Sequence, residues 1–299
     1  MKSFSMRAGI LLASLFVFSF SLFVNPFPAL AKELTILTAF GTSDMEAGKS
    51  LTALKTAYEK NGDTVIWAYS SNIIRAKLNK EKQVVYSVTE ALDFAAENGY
   101  KDVKIQSLHV VPAEEYMKIC RLISRYMESK GENFNSVTMG HPLLSSKQDL
   151  DKTVEAVFSA LPKERTKEDA LILMGHGNDR GTGDLSLLAA AHAFHSADPM
   201  VWLATVEGAL AFDNVLAELT QTNAQKVWLM PFMVVAGDHA KNDMAGEEEA
   251  SWKTILIKKG YEVHTVLNGL GSNPKIQNLF IEHTKNSRDN IKDGTIISR

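Results

Sequence analysis

The stretch ALILMGHGN, residues Ala170 to Asn178, joins a short apolar strand to a turn that carries a histidine. Gly175 and Gly177 flank His176, and glycine on both sides lets the backbone turn sharply and leaves the imidazole unobstructed. Short apolar or β-branched runs alternate with longer helical patterns from residue 32 onward. This alternation predicts an α/β fold with parallel sheets.

Eight segments are predicted to be strands, four in each half of the chain, and helical patterns lie between them. Two of the helices carry a capping-box pattern, Ser43 with Glu46 and Ser87 with Glu90. The predicted strands are Leu34–Thr38, Thr64–Ala68, Val103–Val111, Asn135–Met139, Ala170–Met174, Met200–Thr205, Lys226–Val235 and Tyr261–Leu267.

The two halves match in order. Phe40-Gly41-Thr42 follows the first predicted strand as Met174-Gly175-His176 follows the fifth. This internal repeat predicts two similar domains, each a four-stranded parallel sheet flanked by helices, with a cleft between them. We assign residues 32–161 to the N-terminal domain and 162–273 to the C-terminal domain. We expect residues 274–299 to form a helix that packs on the first domain.

Residues 1–31 have the pattern of a signal peptide. Lys2 and Arg7 give a positive start, Ala8–Val24 is an uncharged apolar run, and Ala29-Leu30-Ala31 matches a cleavage site. A membrane anchor is the alternative, but the apolar run is short and ends in prolines. We therefore expect cleavage after Ala31 and a periplasmic protein without a membrane span.

Composition excludes several classes of function. The formal net charge is −3 and the sequence has no basic blocks, which argues against a nucleic-acid partner. Cys120 is the single cysteine, so neither an intramolecular disulfide nor a thiolate-rich zinc site can form. The sequence also lacks a Walker pattern and a nucleophile elbow. Any metal chemistry must therefore use histidines and carboxylates.

Three candidate metal ligands follow successive strands of the second half. His176 comes after the fifth strand, Glu207 after the sixth and His239 after the seventh. Carboxyl ends of parallel strands meet at one edge of a sheet, where ligands bind. Two imidazoles and a carboxylate with open positions suit Co²⁺, Fe²⁺, Ni²⁺ or Zn²⁺. Each residue alone also has an ordinary structural explanation: a turn histidine, a first-turn acid, or a capping region beside Asp238.

The first half offers a candidate base opposite these residues. His109 and Glu115 flank the end of the third strand, and a carboxylate that faces the metal site across the cleft could accept protons. Glu114 is better explained as a helix first-turn acid. The remaining histidines fall into two groups. We interpret three as structural or surface residues and keep two as further site contacts: His192, His264 and His283 in the first group, His141 and His195 in the second.

At these residues the chain resembles the CbiK-type sirohydrochlorin cobaltochelatases of the anaerobic pathway, over nearly all of residues 32–299. The resemblance implies the class II chelatase fold, with His176, Glu207 and His239 at the metal-binding positions and Glu115 at a first-domain carboxylate implicated in catalysis. The motifs that carry it are Thr38–Ser43, Ile105–His109, Pro142–Ser146, Met174–Gly177 and Leu229–Ala245.

The resemblance implies insertion of Co²⁺, or alternatively Fe²⁺ or Ni²⁺, into a sirohydrochlorin-type tetrapyrrole without ATP, in cobalamin biosynthesis. His176, His239 and Glu115 are the expected catalytic residues, and His109 is expected to bind a cofactor. Two alternatives stay open: a periplasmic metal- or haem-binding or transport protein on the same fold, and a metallohydrolase. A bound haem and a homo-oligomer are further open expectations. The loop at residues 178–183 lacks the additional histidines of some relatives.

Overall fold

The computed structural model describes residues 32–178, 183–287 and 291. The expected signal peptide, residues 1–31, lies outside the described residues, as do residues 288–290 and 292–299 of the expected C-terminal helix. Within the described ranges, no helix is both long enough and apolar enough to cross a membrane.

Two four-stranded sheets form the frame, and every strand pairing in them is parallel. The strand orders are β2-β1-β3-β4 and β6-β5-β7-β8, so the second sheet repeats the first. The predicted α/β architecture with two similar sheets is therefore confirmed. The strands are β1 (Glu33–Ala39), β2 (Val65–Tyr69), β3 (Asp102–Ser107), β4 (Ser136–Gly140), β5 (Ala170–Gly175), β6 (Val201–Thr205), β7 (Lys226–Pro231) and β8 (Glu262–Thr265).

Helices connect the strands and flank the sheets, as βαβ crossovers require. A π-helix, His239–Met244, follows β7, and short 3₁₀ turns cover Gly131–Asn133 and Leu270–Ser272. The α-helices are α1 (Met45–Lys60), α2 (Asn72–Lys80), α3 (Val88–Glu97), α4 (Glu114–Lys130), α5 (Lys147–Ser159), α6 (Gly183–Ala197), α7 (Phe212–Leu219), α8 (Trp252–Lys258) and α9 (Pro274–Lys285).

One predicted capping box is confirmed and the other is wrong. Ser87 accepts a hydrogen bond from the Glu90 N–H at 3.2 Å, and the Glu90 carboxylate accepts one from the Ser87 N–H at 2.6 Å. Helix α1 is capped by Asp44 rather than Ser43: the Asp44 carboxylate accepts from the Ala47 N–H at 2.9 Å. The helix starts one residue later because a carboxylate serves as N-cap as well as a hydroxyl does.

Strands β3 and β7 both end four residues earlier than predicted. Directly after each strand, the N–H of Leu108 donates to the Thr38 carbonyl and that of Phe232 to the Met174 carbonyl, and strand pairing ends there. The apolar residues that follow are buried in a central core between the two sheets, which includes Leu108, Phe232 and Val234. Their apolar character therefore reflects packing at the cleft rather than strand pairing.

Residues from Lys32 onward form one compact unit. The central core draws on both halves of the chain, and α9 packs against α1, α5, β3 and β4. Thr284 of α9 bonds the Tyr58 hydroxyl at 2.7 Å and donates to Gln106 of β3 at 2.9 Å. This buried network ties the last helix to the first sheet, while the domain boundary near residue 161 stays a prediction.

Candidate active site

A cavity of about 610 Å³ lies at the carboxyl ends of the strands. Both halves of the chain contribute to its wall, so the repeat of two sheets creates it. The segments that line it come from within residues 39–44, 108–116, 176–178 and 232–239, with Ile74, Leu187 and Glu207.

One wall brings His176, Glu207 and His239 together. The imidazole rings of the two histidines lie 4.9 Å apart between centroids, at an interplanar angle of 84°. Glu207 Oε1 lies 3.3 Å from His176 Nδ1, and the Glu207 N–H donates to the His176 carbonyl at 3.1 Å. The three candidate ligands are therefore neighbours, as their positions after β5, β6 and β7 led us to expect.

The loops after β5 and β6 approach so closely that Gly177 admits no side chain. Its φ is +86°, and a Cβ there would lie 1.7 Å from the Glu207 carbonyl oxygen. Asp184, in the first turn of α6, holds both loops: its carboxylate accepts from the Asn178 N–H at 3.1 Å and from the Ala209 N–H at 3.0 Å. Asp184 was not predicted as a site residue, because in the sequence it has only the features of an ordinary acid in the first turn of a helix.

His239 begins the π-helix that follows β7. Its Nδ1 lies 2.6 Å from Oδ2 of Asp243, four residues further on. Asp238 makes no side-chain cap hydrogen bond, so the capping explanation for this segment is wrong. Asp243 was also missed, although the four-residue spacing to His239 is one that brings side chains together on a helix.

The opposite wall carries His109 and Glu115. His109 Nδ1 bonds the Ser107 hydroxyl at 2.8 Å, while its Nε2 is buried without a hydrogen-bond partner, as is Oε2 of Glu115. Burial lowers the pKa of His109 to about 4, against the opposing effect of the Glu115 charge. The ring is therefore neutral at physiological pH. Buried polar atoms without partners at a cavity wall are typical of a site that receives a ligand or a proton.

Neither His141 nor His195 lines the cavity. His195 Nδ1 bonds the Val201 carbonyl at 3.1 Å, and its ring packs on Trp202 at 5.5 Å, so the expectation of a site contact is wrong for this residue. His195 lies six residues before β6, so its side chain reaches the start of that strand, whereas the cavity lies at the strand's carboxyl end. His283, expected to be structural, donates from Nε2 to the Asp149 carboxylate at 2.9 Å.

The described part of the cavity wall is acidic, with five carboxylates and neither lysine nor arginine. This charge favours a cation in the cleft. The carboxylates are Asp44, Glu114, Glu115, Glu207 and Asp238. Asp44 pairs with Lys241 of the π-helix, and this contact lowers the pKa of the Asp44 carboxyl.

Among residues 32–178, 183–287 and 291, no group of three or more His, Cys, Asp or Glu side chains is arranged so that it could hold a metal ion. His176, Glu207 and His239 as a complete ligand set therefore stay a prediction.

Comparison with known proteins places this chain in a family. The profile of the cobalt chelatases, CbiK, matches residues 33–289. Sirohydrochlorin cobaltochelatase CbiKC of Nitratidesulfovibrio vulgaris is 31% identical over 256 residues, which cover 85% of this chain and 90% of that protein. The sirohydrochlorin cobaltochelatase of Salmonella typhimurium is 34% identical over 227 residues, 72% of this chain and 80% of that protein.

Similarity to solved structures supports the fold. SirB from Bacillus subtilis with Fe³⁺ superposes with a TM-score of 0.58 at 14% identity, covering 85% of this chain and 94% of that one. The family profile spans nearly all of the described residues, and with them both walls of the cleft. The chain belongs to the cobalt chelatase family, CbiK.

Proposed function

We propose that this protein is a metal chelatase that inserts Co²⁺ into sirohydrochlorin or a closely related tetrapyrrole. The observation that carries the proposal is the cavity itself: two adjacent imidazoles and a carboxylate on one wall, and His109 with Glu115 on the other. The two relatives compared above are named as sirohydrochlorin cobaltochelatases, which favours turnover over storage or transport of a metal or haem.

The reaction exchanges one dication for two protons. Co²⁺ is a substrate that His176, Glu207 and His239 receive on the second-half wall, where imidazoles bind metal in their neutral form. The macrocycle lies across the cavity, and its nitrogens replace the protein ligands as the two pyrrole N–H bonds break. Metal coordination by the ring supplies the driving force, in keeping with a sequence that has no Walker pattern.

Glu115 is the proposed acceptor of the first pyrrole proton. Its Oε2 is buried at the cavity wall and has no hydrogen-bond partner, while Oε1 lies 3.5 Å from Lys118 Nζ, so Oε2 is the atom open to a proton. An imidazole released from the metal, His176 or His239, accepts the second proton. General-base groups of this kind contribute typically ~10²–10⁴-fold to a rate.

Cobalt is the proposed metal because of the names of the two relatives. Two imidazoles and a carboxylate also bind Fe²⁺ and Ni²⁺, and affinity alone does not select among these ions. Values of kcat/KM measured for the three ions with sirohydrochlorin under anaerobic conditions rank them. A higher kcat/KM for Fe²⁺ or Ni²⁺ than for Co²⁺ would overturn the choice of cobalt.

The site assignment is tested with His239→Ala. We expect this variant to lose insertion and keep its fold, because it removes one imidazole from a cavity wall without touching the sheets. Insertion is followed by visible absorbance, and folding by circular dichroism. His264→Ala is the matched control, since His264 stacks on Trp228 at the edge of the second sheet, outside the cavity. If His239→Ala inserts cobalt at the wild-type rate, the assignment fails.

We also propose that the protein acts outside the cytoplasm. The support is the pattern of residues 1–31, a positive start, an apolar run and a small-residue cleavage site. N-terminal sequencing of the protein from a periplasmic fraction is expected to begin at Lys32. Recovery of the whole chain from the cytoplasm, with residues 1–31 intact, would contradict export.

A further inference from the structure

Asp243 contacts the site but has no part in the reaction described above. It lies four residues after His239 on the π-helix His239–Met244, and its Oδ2 is 2.6 Å from His239 Nδ1. The side chains of His239 and Asp243 are 44% and 48% exposed, so the pair lies at the open cleft rather than in the core.

This contact determines which ring nitrogen of His239 is free. An ionised carboxylate can only accept a hydrogen bond, so the Nδ1 beside it carries the ring proton. In the neutral imidazole the other nitrogen, Nε2, then has a bare lone pair, which is the form that binds a metal ion.

His176 has the same arrangement. Its Nδ1 lies 3.1 Å from the Gly177 carbonyl oxygen, an acceptor that favours a proton on Nδ1. In both histidines, therefore, Nε2 is the atom left for a dication. In His239 the acceptor at Nδ1 is a carboxylate, Asp243, which is not one of the proposed metal ligands.

The π-helix does not depend on Asp243 for its place in the fold. Ala240 and Met244 are buried in the core of the second sheet, and Lys241 pairs with Asp44 at the start of α1. A variant at Asp243 should therefore fold, and its defect should be confined to His239.

We propose that Asp243 is a positioning residue for metal uptake, which fixes the tautomer and the ring orientation of His239 so that Nε2 receives the ion. The proposal rests on the proposed function, because it gives His239 the role of a metal ligand. Carboxylates behind metal-binding histidines act in this way elsewhere, and their loss typically costs ~10–100-fold in metal affinity or activity.

The test compares Asp243→Ala and Asp243→Asn with the wild type. Binding of Co²⁺ alone is titrated by its visible absorbance on the full chain, and the KM values for Co²⁺ and for sirohydrochlorin are measured separately. For Asp243→Ala we expect a rise of ~10–100-fold in the Kd and the KM for Co²⁺, with the KM for sirohydrochlorin unchanged. Asp243→Asn should lose less, since its amide oxygen still accepts from Nδ1–H.

Glu247→Gln is the control. Its carboxylate lies just beyond the π-helix and pairs with Lys253 at 2.5 Å, with 86% of the side chain exposed, so Co²⁺ binding should be unchanged. Wild-type Kd and KM for Co²⁺ in Asp243→Ala would overturn the proposal, as would an equal rise in both KM values. If His239→Ala loses binding and insertion while Asp243→Ala is normal, only the role of Asp243 fails. If His239→Ala is also normal, the proposed function of the site fails with it.

Discussion

His109 links the chemistry of the cleft to the stability of the fold. Its folded pKa of about 4 lies below the ordinary value of 6.5 because the ring is buried. Between these values the unfolded chain binds more protons than the folded chain, so the free energy of unfolding falls as the pH drops from 6.5 towards 4. Well above pH 6.5 the ring is neutral in both states and contributes no pH dependence.

His109→Gln should weaken this acid sensitivity. Glutamine keeps a polar side chain but does not titrate, so the variant should lose less of its unfolding free energy between about pH 7.5 and about pH 5 than the wild type. Denaturant unfolding of both proteins at the two pH values measures the difference. An equal loss in the two proteins would show that His109 is not buried in its neutral form.

At the residue scale, the sequence predicted which side chains meet but not how they are held. Parallel strands end at one edge of a sheet, so His176, Glu207 and His239 had to be neighbours once their strands were assigned. The Asp243 and Asp184 contacts depend on the π-helical turn after β7 and on the approach of two loops. The four-residue spacing from His239 to Asp243 does not by itself reveal a π-helical turn, and the approach of two loops leaves no periodic pattern.

The loop after β5 is the element on which the site geometry depends most. Gly177 has φ of +86°, and a Cβ would lie 1.7 Å from the Glu207 carbonyl oxygen. Gly177→Ala should therefore push the Glu207 loop away and greatly slow cobalt insertion. It should also destabilise the protein by more than the ~1–2 kcal/mol that a left-handed backbone costs alanine.

Gly62→Ala separates the effect of left-handed backbone strain from the effect of the steric overlap. Gly62 has φ of +96° but no atom within 4 Å of the Cβ position, so this variant carries the backbone strain alone. Denaturant unfolding and insertion rates of both variants test the comparison. A Gly177→Ala protein as stable and as active as Gly62→Ala would contradict the close approach of the two loops.

At the element scale, sequence patterns predicted the strands but placed the ends of β3 and β7 too late in the chain. The run from Leu108 to Val111 is apolar enough to continue β3, and residues 232–235 are apolar enough to continue β7. Both segments instead leave the sheet and line the cavity, where part of their surface is buried in the central core. Periodicity cannot distinguish burial in a sheet strand from burial in a loop that packs beside the cavity, because both require apolar side chains.

For the whole molecule, the internal repeat was the informative signal. It predicted two parallel four-stranded sheets, and the matching orders β2-β1-β3-β4 and β6-β5-β7-β8 confirm them. The contacts that join the halves could not be predicted from sequence patterns, because they bring together residues distant in sequence. Thr284 with Tyr58 is one example, and Lys241 with Asp44 at the cleft is another.

Turnover is the property that distinguishes a chelatase from a protein that only binds metal or tetrapyrrole in the same cleft. The direct measurement is the amount of cobalt-containing product formed per chain, followed by visible absorbance with sirohydrochlorin and Co²⁺ in large excess. We expect the wild type to form many equivalents of product and His239→Ala to form almost none. Product formation that stops at a single equivalent per chain would contradict catalysis and identify a binding protein.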